Sequence, residues 1–336
     1  MGTDEVLVEV TRGGRVESAH RGAAVVMDAD GAVVFQAGDI DHAVYPRSAV
    51  KALLALPLVE TGAADRLGLT DAEIALACSS HSGEPLHVET AAAMLRRAGR
   101  DESCLECGTH WPSNPEAARA LAVAGQRPGA LHNNCSGKHA GFICLACDRG
   151  EDPAGYVSPD HPTMREVTAA LADMTGARLD ATNLAVDGCS IPTYAIPLRA
   201  LALGFARFGA GTAMSRARKA AADRIRAAVA ADPFLVAGTG RFDTKLMTAL
   251  GARVFSKTGA EGVFCAAIPE HGLGIAVKCD DGATRAAEIV TAALVARFLP
   301  GAGELPQVAS LSRHSLRNWT GIVIGEACPA GALRVS

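Results

Sequence analysis

The sequence predicts an α+β fold in which strands from both ends of the chain build one antiparallel sheet and the middle of the chain forms a helical subdomain. Residues 5–11 and about 21–38 have strand-like apolar patterns, and three further β-rich runs lie between residues 253 and 278. The segments between these two groups have helical patterns. We therefore expect residues 1–336 to form a single unit, with a sheet subdomain at about 1–45 plus 250–336 and a helical subdomain at about 46–249.

Turn and capping residues predict where the elements begin. Asp28-Ala29-Asp30-Gly31 separates the apolar runs 22–27 and 32–35 and predicts a hairpin. Pro46 suits a helix start, so a helix is expected from there to about Gly62. Thr70-Asp71-Ala72-Glu73 is a capping box at the start of a short helix. Further helices are predicted at about 86–98, 161–176, 213–231, 241–250 and 284–298.

Composition and charge limit the kinds of partner. The net charge of −4 provides no basic surface for nucleic acid, and three Tyr, two Trp and nine Phe provide few stacking platforms. No run approaches the roughly 18–20 apolar residues of a membrane span. The acidic start Met1–Glu5 lacks the basic residues of a signal peptide, so we expect a cytoplasmic protein without nucleic-acid or membrane partners.

Ser48 and Lys51 form a Ser-x-x-Lys motif at the predicted helix start. Residues three apart on a helix are neighbours, about 5–6 Å between Cβ atoms, so the Lys51 amine could reach the Ser48 hydroxyl. A serine needs a base to become a nucleophile, and a lysine kept neutral by apolar surroundings can serve. The apolar residues 52–56 offer such surroundings. The alternative is an ordinary helix-start serine beside a lysine whose stem lies along apolar surface.

Two groups of cysteines and one polar loop are further candidates. Cys104 and Cys107, like Cys144 and Cys147, form Cys-x-x-Cys pairs that could suggest a zinc ribbon. Their separation is too wide for that, so we expect buried structural thiols. Residues 131–140 concentrate more polar and coordinating side chains than a turn requires, which predicts a binding loop at a helix N-terminus.

Three short elements together resemble a known group of hydrolases. They are Ser48-x-x-Lys51, Ser79-Ser80-His81-Ser82 and Lys257-Thr258-Gly259, which are similar to the Ser-x-x-Lys, Ser-x-Asn and Lys-Thr-Gly elements of serine β-lactamases, penicillin-binding proteins and glutaminases. That resemblance implies a β-lactamase-like sheet with an inserted helical subdomain. Position 82 departs from the pattern, because it is Ser rather than Asn.

A closer resemblance covers roughly residues 5–330. The motifs are 46-PRSAVK-51, 79-SSHSGE-84, 132-HNNCSGKH-139, 187-DGCS-190 and 257-KTGAEG-262. In this order they look like the rhizobial-type (class 3) zinc-containing L-asparaginases of the asparaginase II family. The resemblance implies hydrolysis of L-asparagine to L-aspartate and ammonia through an acyl-enzyme, and assembly into a homodimer.

The same resemblance implies roles for particular residues. Two Ser-Lys tandems are expected, Ser48 with Lys51 and Ser80 with Lys257, of which Ser48 attacks and Ser80 passes a proton to the leaving ammonia. The resemblance also implies zinc held by Cys135, Lys138 and Cys189. Because two Ser-Lys pairs would already supply the nucleophile and the proton transfer, we expect the zinc to orient substrate rather than generate the nucleophile. The residues expected to line the cleft or support it are Arg47, Asn133, His139 and Asp187.

Some parts of this hypothesis rest on general chemistry. Two thiolates and a neutral amine are a chemically reasonable zinc donor set. Backbone N–H groups near Ser48 and on the strand that carries Lys257 are expected to stabilise the oxyanion. The alternatives are a related serine hydrolase acting on glutamine or a β-lactam, and a catalytically inactive amino-acid-binding or zinc-binding protein of the same fold.

Overall fold

Eight strands from the two ends of the chain form one antiparallel sheet in the computed structural model, which describes residues 4–334. In chain order, β1 to β12 are Glu5–Arg12, Arg15–Asp28, Val33–Ala37, Ala43–Val44, Leu184–Val186, Pro192–Tyr194, Ile196–Pro197, Phe255–Thr258, Val263–Ile268, Leu273–Cys279, His314–Arg317 and Val323–Pro329. The sheet order is β11-β12-β1-β2-β10-β9-β8, and β3 pairs with β2. The N-terminal strands thus lie between C-terminal ones, which confirms the predicted fold class.

Helices fill the middle of the chain and cover the sheet. In chain order, α1 to α14 are Lys51–Leu54, Leu56–Glu60, Ala63–Arg66, Asp71–Ala77, Pro85–Arg97, Pro115–Val123, Ser136–Asp148, Pro162–Thr175, Leu198–Ala210, Arg216–Ala231, Phe234–Ala237, Phe242–Leu250, Thr284–Phe298 and Pro306–Ser312. None of the helices within residues 4–334 is both long enough and apolar enough to cross a membrane.

Helices α9 and α13 pack on the sheet. Consecutive residues of β10 from Leu273 to Val277 point to opposite faces and are all buried, so both faces of the strand are covered. Helix α9 approaches very closely, because a Cβ on Gly274 would lie 2.0 Å from the carbonyl oxygen of Ala202. Glycine at position 274 is therefore required for this contact. No helix was predicted at residues 198–210.

Several local predictions are confirmed. Strands β2 and β3 form the predicted hairpin, and Asp28 accepts hydrogen bonds in its turn from the backbone of Asp30 and Ala32. Thr70 and Glu73 form the predicted reciprocal capping box. Strand β2 begins six residues before the predicted position, because its exposed first half continues to pair with β1.

The helix predicted after Pro46 is divided into short segments. Residues Arg47–Val50 form a 3-10 turn, here named the Ser48 turn, and α1 and α2 follow with a break at Ala55. Pro57 lies in the first turn of α2 and has no N–H to continue the hydrogen-bond ladder of α1, which explains the break. Each segment is nonetheless buried, so the residues after Lys51 are as dry as the sequence predicts.

Candidate active site

A cavity of about 300 Å³ lies where the Ser48 turn, the loop after α4, the start of α7, the loop after β5 and strand β8 meet. Its wall is formed by Arg47, Ser48, Ser80, His110, Asn133, Asn134, Cys135, Asp187, Gly188, Cys189, Arg241, Thr258, Gly259 and Ala260. With His110 and Arg241, residues from seven separate segments of the sequence therefore meet at one place. Its volume lies at the lower end of the range for small-molecule sites.

The Ser80 hydroxyl lies between two buried amines. Its Oγ is 2.9 Å from Lys51 Nζ and 2.9 Å from Lys257 Nζ. Both lysines are 1% exposed and Ser80 is 6% exposed. The Ser80 backbone N–H donates to the Val236 carbonyl, which fixes the loop that carries the serine. The three side chains form a continuous hydrogen-bonded chain of amine, hydroxyl and amine.

The two amines cannot both be charged without cost. They are separated by at most twice 2.9 Å, because both contact the same oxygen. Two unit charges at that distance repel by about 3 kcal/mol at an effective dielectric constant of 20. The pKa of Lys257 falls from 10.5 to about 7, chiefly because of burial; Asp243 opposes this shift and the charge of Lys51 contributes to it. Near neutral pH, Lys257 therefore supplies an uncharged amine in a dry site.

Lys51 differs from Lys257 in its acceptors. Burial also lowers the pKa of Lys51, but Cys135 opposes this shift. Its Nζ donates to the Ser79 carbonyl at 2.5 Å and to Cys135 Sγ at 3.1 Å, besides Ser80. These acceptors favour the protonated amine, because a buried ammonium is stable only when its donors are paired.

Ser48 lies in the wall of the same cavity and is half-buried. Within residues 4–334, no hydrogen bond joins its Oγ to Lys51 Nζ. The predicted contact between Ser48 and Lys51 is therefore wrong for this structure. The buried amine extends instead to three acceptors on other segments, which one serine hydroxyl could not replace.

Asp243 is a buried residue of the site that was not predicted. One of its oxygens accepts hydrogen bonds from the Thr258 backbone N–H and from Ser256 Oγ, and the other accepts from Thr258 Oγ1. Successive residues of a strand point to opposite faces, so this side of β8 is held by Asp243 while Lys257 points to Ser80. In the sequence, Asp243 has only the appearance of an acidic residue in a first helical turn.

The predicted oxyanion donors on this strand are already engaged. The Thr258 N–H donates to Asp243, and the Gly259 N–H donates to the Val263 carbonyl at 2.9 Å. Near Ser48, the Ala49 N–H donates to the Pro46 carbonyl. The prediction that these amides stabilise an oxyanion is therefore wrong for the two residues after Lys257, because Asp243 and the turn between β8 and β9 use them.

Cys135, Lys138 and Cys189 meet beside the cavity. Lys138 Nζ is 2.9 Å from Cys189 Sγ, and all three residues are at most 4% exposed. The pKa of Cys135 is well below its usual value, because the Cys189 thiol donates to it and Lys138 and Lys51 lie close. Burial lowers the pKa of Lys138, but the two sulfurs outweigh it and the pKa is raised. Ionic hydrogen bonds thus join the three side chains.

The donor set of this cluster fits zinc. Two sulfurs and one amine in mutual contact are of the types that zinc binds. In the described part of the chain, no three His, Cys, Asp or Glu side chains come together as a metal site. The predicted set contains a lysine in place of a third such residue. Next in sequence to Lys138, the buried His139 Nε2 has no hydrogen-bond partner in residues 4–334.

The four predicted supporting residues have different positions. Arg47 donates from Nε to Asp187, and both lie in the cavity wall. Arg47 has a φ of 50°, a left-handed conformation that is strained for a non-glycine residue. Asn133, also in the wall, joins two loops, because it donates to the Cys107 carbonyl and accepts from the Cys135 backbone N–H. His139 is buried behind the wall and contacts the Tyr156 hydroxyl.

The Cys-x-x-Cys pairs lie outside the cavity wall. Cys107 and Cys144 are buried as predicted, whereas Cys104 and Cys147 are only half-buried. All ten cysteines lie in the described residues and all are free. The prediction of buried thiols is therefore confirmed for one cysteine of each pair and wrong for the other.

One comparison with known proteins supports the resemblance seen in the sequence. The family model for L-asparaginase II matches residues 8–329. A comparison with curated proteins found no match. Among solved structures, a β-lactamase from Mycobacterium bovis matches at 16% identity with a TM-score of 0.41, over 82% of this chain and 94% of that one. The protein Mglu matches at 15% identity with a TM-score of 0.36, over 80% of this chain and 64% of that one. The family match spans nearly the whole chain, and the chain belongs to the asparaginase II family.

Proposed function

We propose that this amidase hydrolyses L-asparagine to L-aspartate and ammonia through an acyl-enzyme. The observation that supports it best is the hydrogen-bonded chain of Lys51, Ser80 and Lys257 beside Ser48 in one small polar cavity. A neutral lysine next to serine hydroxyls is the arrangement that activates a serine nucleophile without a histidine.

In this proposal Ser48 is the attacking residue and Ser80 is the proton relay. Ser48 is the more accessible hydroxyl, whereas Ser80 Oγ is occupied by two amines. The Ser48 oxygen attacks the side-chain amide carbon, and its proton passes through Ser80 to neutral Lys257. Since Ser48 is not hydrogen bonded to either amine in the free protein, this transfer needs a small shift on substrate binding or one bridging water.

The second half of the reaction returns every group to its starting state. The proton on Lys257 passes back through Ser80 to the amide nitrogen, which leaves as ammonia when the C–N bond breaks. Water then attacks the aspartyl ester on Ser48, gives one proton to Lys257 and releases aspartate. The serine oxygen recovers its proton from the same relay.

Zinc is part of the proposal as a support for binding. Cys135, Lys138 and Cys189 would hold it, with the Lys138 amine deprotonated. When bound, it would supply a positive charge that orients the amino-acid end of the substrate. Ser48, Ser80 and Lys257 carry all the steps above.

Two further proposals concern the state of the protein. We infer that it is a homodimer, as family members are. We also infer that it works in the cytoplasm, because ten free cysteines suit a reducing compartment.

The test is ammonia release from L-asparagine by the purified protein, with glutamine and the β-lactam nitrocefin assayed in parallel. Ser48→Ala and Ser80→Ala should each lower kcat by at least about 10³-fold, whereas Ser103→Ala, in an exposed turn outside the cavity wall, should match the wild type. Mass spectrometry of quenched reactions should find the aspartyl adduct on the Ser48 peptide.

Other results would contradict specific parts of the proposal. An adduct on Ser80 would exchange the roles of the two serines. Hydrolysis of glutamine or nitrocefin without hydrolysis of asparagine would mean that the substrate is glutamine or a β-lactam rather than asparagine. Unchanged asparagine binding by Ser48→Ala, with ammonia released by neither protein, would identify a binding protein rather than an enzyme.

A further inference from the structure

Arg241 is a cavity residue to which the proposed reaction gives no role. It lies in the wall together with Ser48 and Ser80, immediately before α12. Its positive charge contributes to the lowered pKa of Lys257, so the guanidinium is electrostatically close to the reacting groups. An arginine at this place either pairs with a protein carboxylate or is available to a ligand.

The backbone on both sides of Arg241 is fixed to the catalytic segments. Glu84 accepts hydrogen bonds from the backbone N–H and the hydroxyl of Thr239, which joins this segment to the loop of Ser80. A Cβ on Gly238 would lie 1.8 Å from Ser82 Oγ, so the two loops are in direct contact. On the other side, Asp243 is bound to the strand of Lys257. Arg241 therefore has a fixed position relative to both.

The other cations of the site have partners. Arg47 donates to Asp187, Lys51 to Cys135 and Lys138 to Cys189. Within residues 4–334, Arg241 forms no ion pair and its guanidinium donates no hydrogen bond to the protein. The nearby carboxylates do not change this, because Asp243 is occupied by Ser256 and Thr258. The charge of Arg241 also acts on Glu288, but burial and Asp243 outweigh it and raise the pKa of Glu288 to about 7, and no ion pair joins the two within residues 4–334.

An unpaired guanidinium in a cavity next to a buried lysine is an anion receptor. Its planar fork matches a carboxylate with two parallel hydrogen bonds, and such charge-assisted pairs are among the strongest in proteins. An amino-acid amide has one carboxylate, which is distant from the amide that reacts. We propose that Arg241 binds the α-carboxylate of the substrate and so restricts the enzyme to amides that carry a carboxylate, an inference that rests on the proposed function.

The test compares two substrates that differ only at the carboxylate. L-Asparagine and its α-methyl ester contain the same side-chain amide, and ammonia release reports its hydrolysis in both. Arg241→Gln should raise KM for asparagine about 10- to 100-fold and change kcat/KM for the ester less than 3-fold. Arg241→Lys should fall between, because it keeps the charge without the fork.

The control is Lys245→Gln, which removes the same charge from an exposed position one turn further along α12 and should leave both substrates unaffected. An equal loss for both substrates in Arg241→Gln would overturn the proposal, because it would indicate a structural role. An unchanged KM for asparagine would also overturn it, because the carboxylate would then be bound elsewhere.

A binding measurement separates this proposal from the proposed function. Calorimetry with L-aspartate, which keeps the α-carboxylate, should give a Kd at least 10-fold weaker for Arg241→Gln than for the wild type. If the wild type releases no ammonia from any amide yet shows this difference, the proposed function fails and carboxylate binding by Arg241 stands. An identical Kd in the two proteins rejects the role of Arg241 whatever the activity.

Discussion

Replacing Lys257 with methionine should stabilise the protein in acid while removing its activity. The amine is completely buried, and its folded-state pKa of about 7 lies far below the ordinary value of 10.5. A folded state that binds protons less readily than the unfolded state loses stability wherever the unfolded amine is charged. Methionine has a similar shape and carries no charge, so it removes this cost with little change in packing.

The expected magnitude follows from the two pKa values. The gap between 10.5 and about 7 corresponds to about 5 kcal/mol, which is present in full below pH 7, where both states are protonated. Between pH 7 and 10.5 the folded amine is neutral and the cost falls, to about 2 kcal/mol at pH 9. Against this, Ser80 and the Thr258 carbonyl lose a donor, at about 1–3 kcal/mol. The net stabilisation is therefore about 2–4 kcal/mol at pH 6 and near zero at pH 9.

Urea unfolding at pH 6 and pH 9, followed by circular dichroism, measures this difference directly. Lys245→Met removes an exposed lysine from α12 and should change stability by less than about 0.5 kcal/mol at either pH. If Lys257→Met is less stable than the wild type at pH 6, or if its effect is the same at both pH values, then Lys257 is not the neutral buried amine described here.

Three further predictions concern activity. The kcat/KM for asparagine should rise with pH about a midpoint near 7, as Lys257 loses its proton, and a maximum near pH 5 would contradict this base. Asp243→Asn should lower that midpoint by about one pH unit, because the negative charge of Asp243 favours the protonated form of Lys257. An unchanged midpoint would mean that Asp243 only holds β8 in place. Dialysis against a chelator should raise KM more than 10-fold and lower kcat less than 3-fold. A large loss of kcat at constant KM would contradict this, because zinc would then act in the chemical step and not in substrate binding.

The outer arrangement of the fold was accessible from the sequence because it depends on local patterns. The strand-like runs at the two ends of the chain can be seen in the alternation of neighbouring residues. A capping residue such as Thr70 binds a partner only three residues away. Helix α9 was not recognised for the opposite reason. It packs against the sheet and against α8, so eight of its thirteen residues are buried and its polar face is narrow.

The contacts of the site depended on long-range packing that spacing does not encode. Lys51 lies three residues after Ser48, yet its amine is bonded to Ser79, Ser80 and Cys135, between 28 and 84 residues away in sequence. Asp243 and Arg241 belong to no catalytic motif. Their place in the site follows from the position of α12, whose start contacts both the loop that carries Ser80 and strand β8.

The two amines around Ser80 are chemically unequal, and this inequality gives the proton relay its direction. Lys51 is next to a sulfur whose pKa is lowered, so an anion favours its protonated form. Within residues 4–334, Lys257 donates hydrogen bonds only to Ser80 and the Thr258 carbonyl. Burial lowers its pKa to about 7, with the cations Lys51 and Arg241 contributing and Asp243 opposing the shift. A proton released at the serines therefore moves towards Lys257 rather than Lys51. The Ser-x-x-Lys spacing alone would assign the base to Lys51, whereas the charges around the two amines favour Lys257.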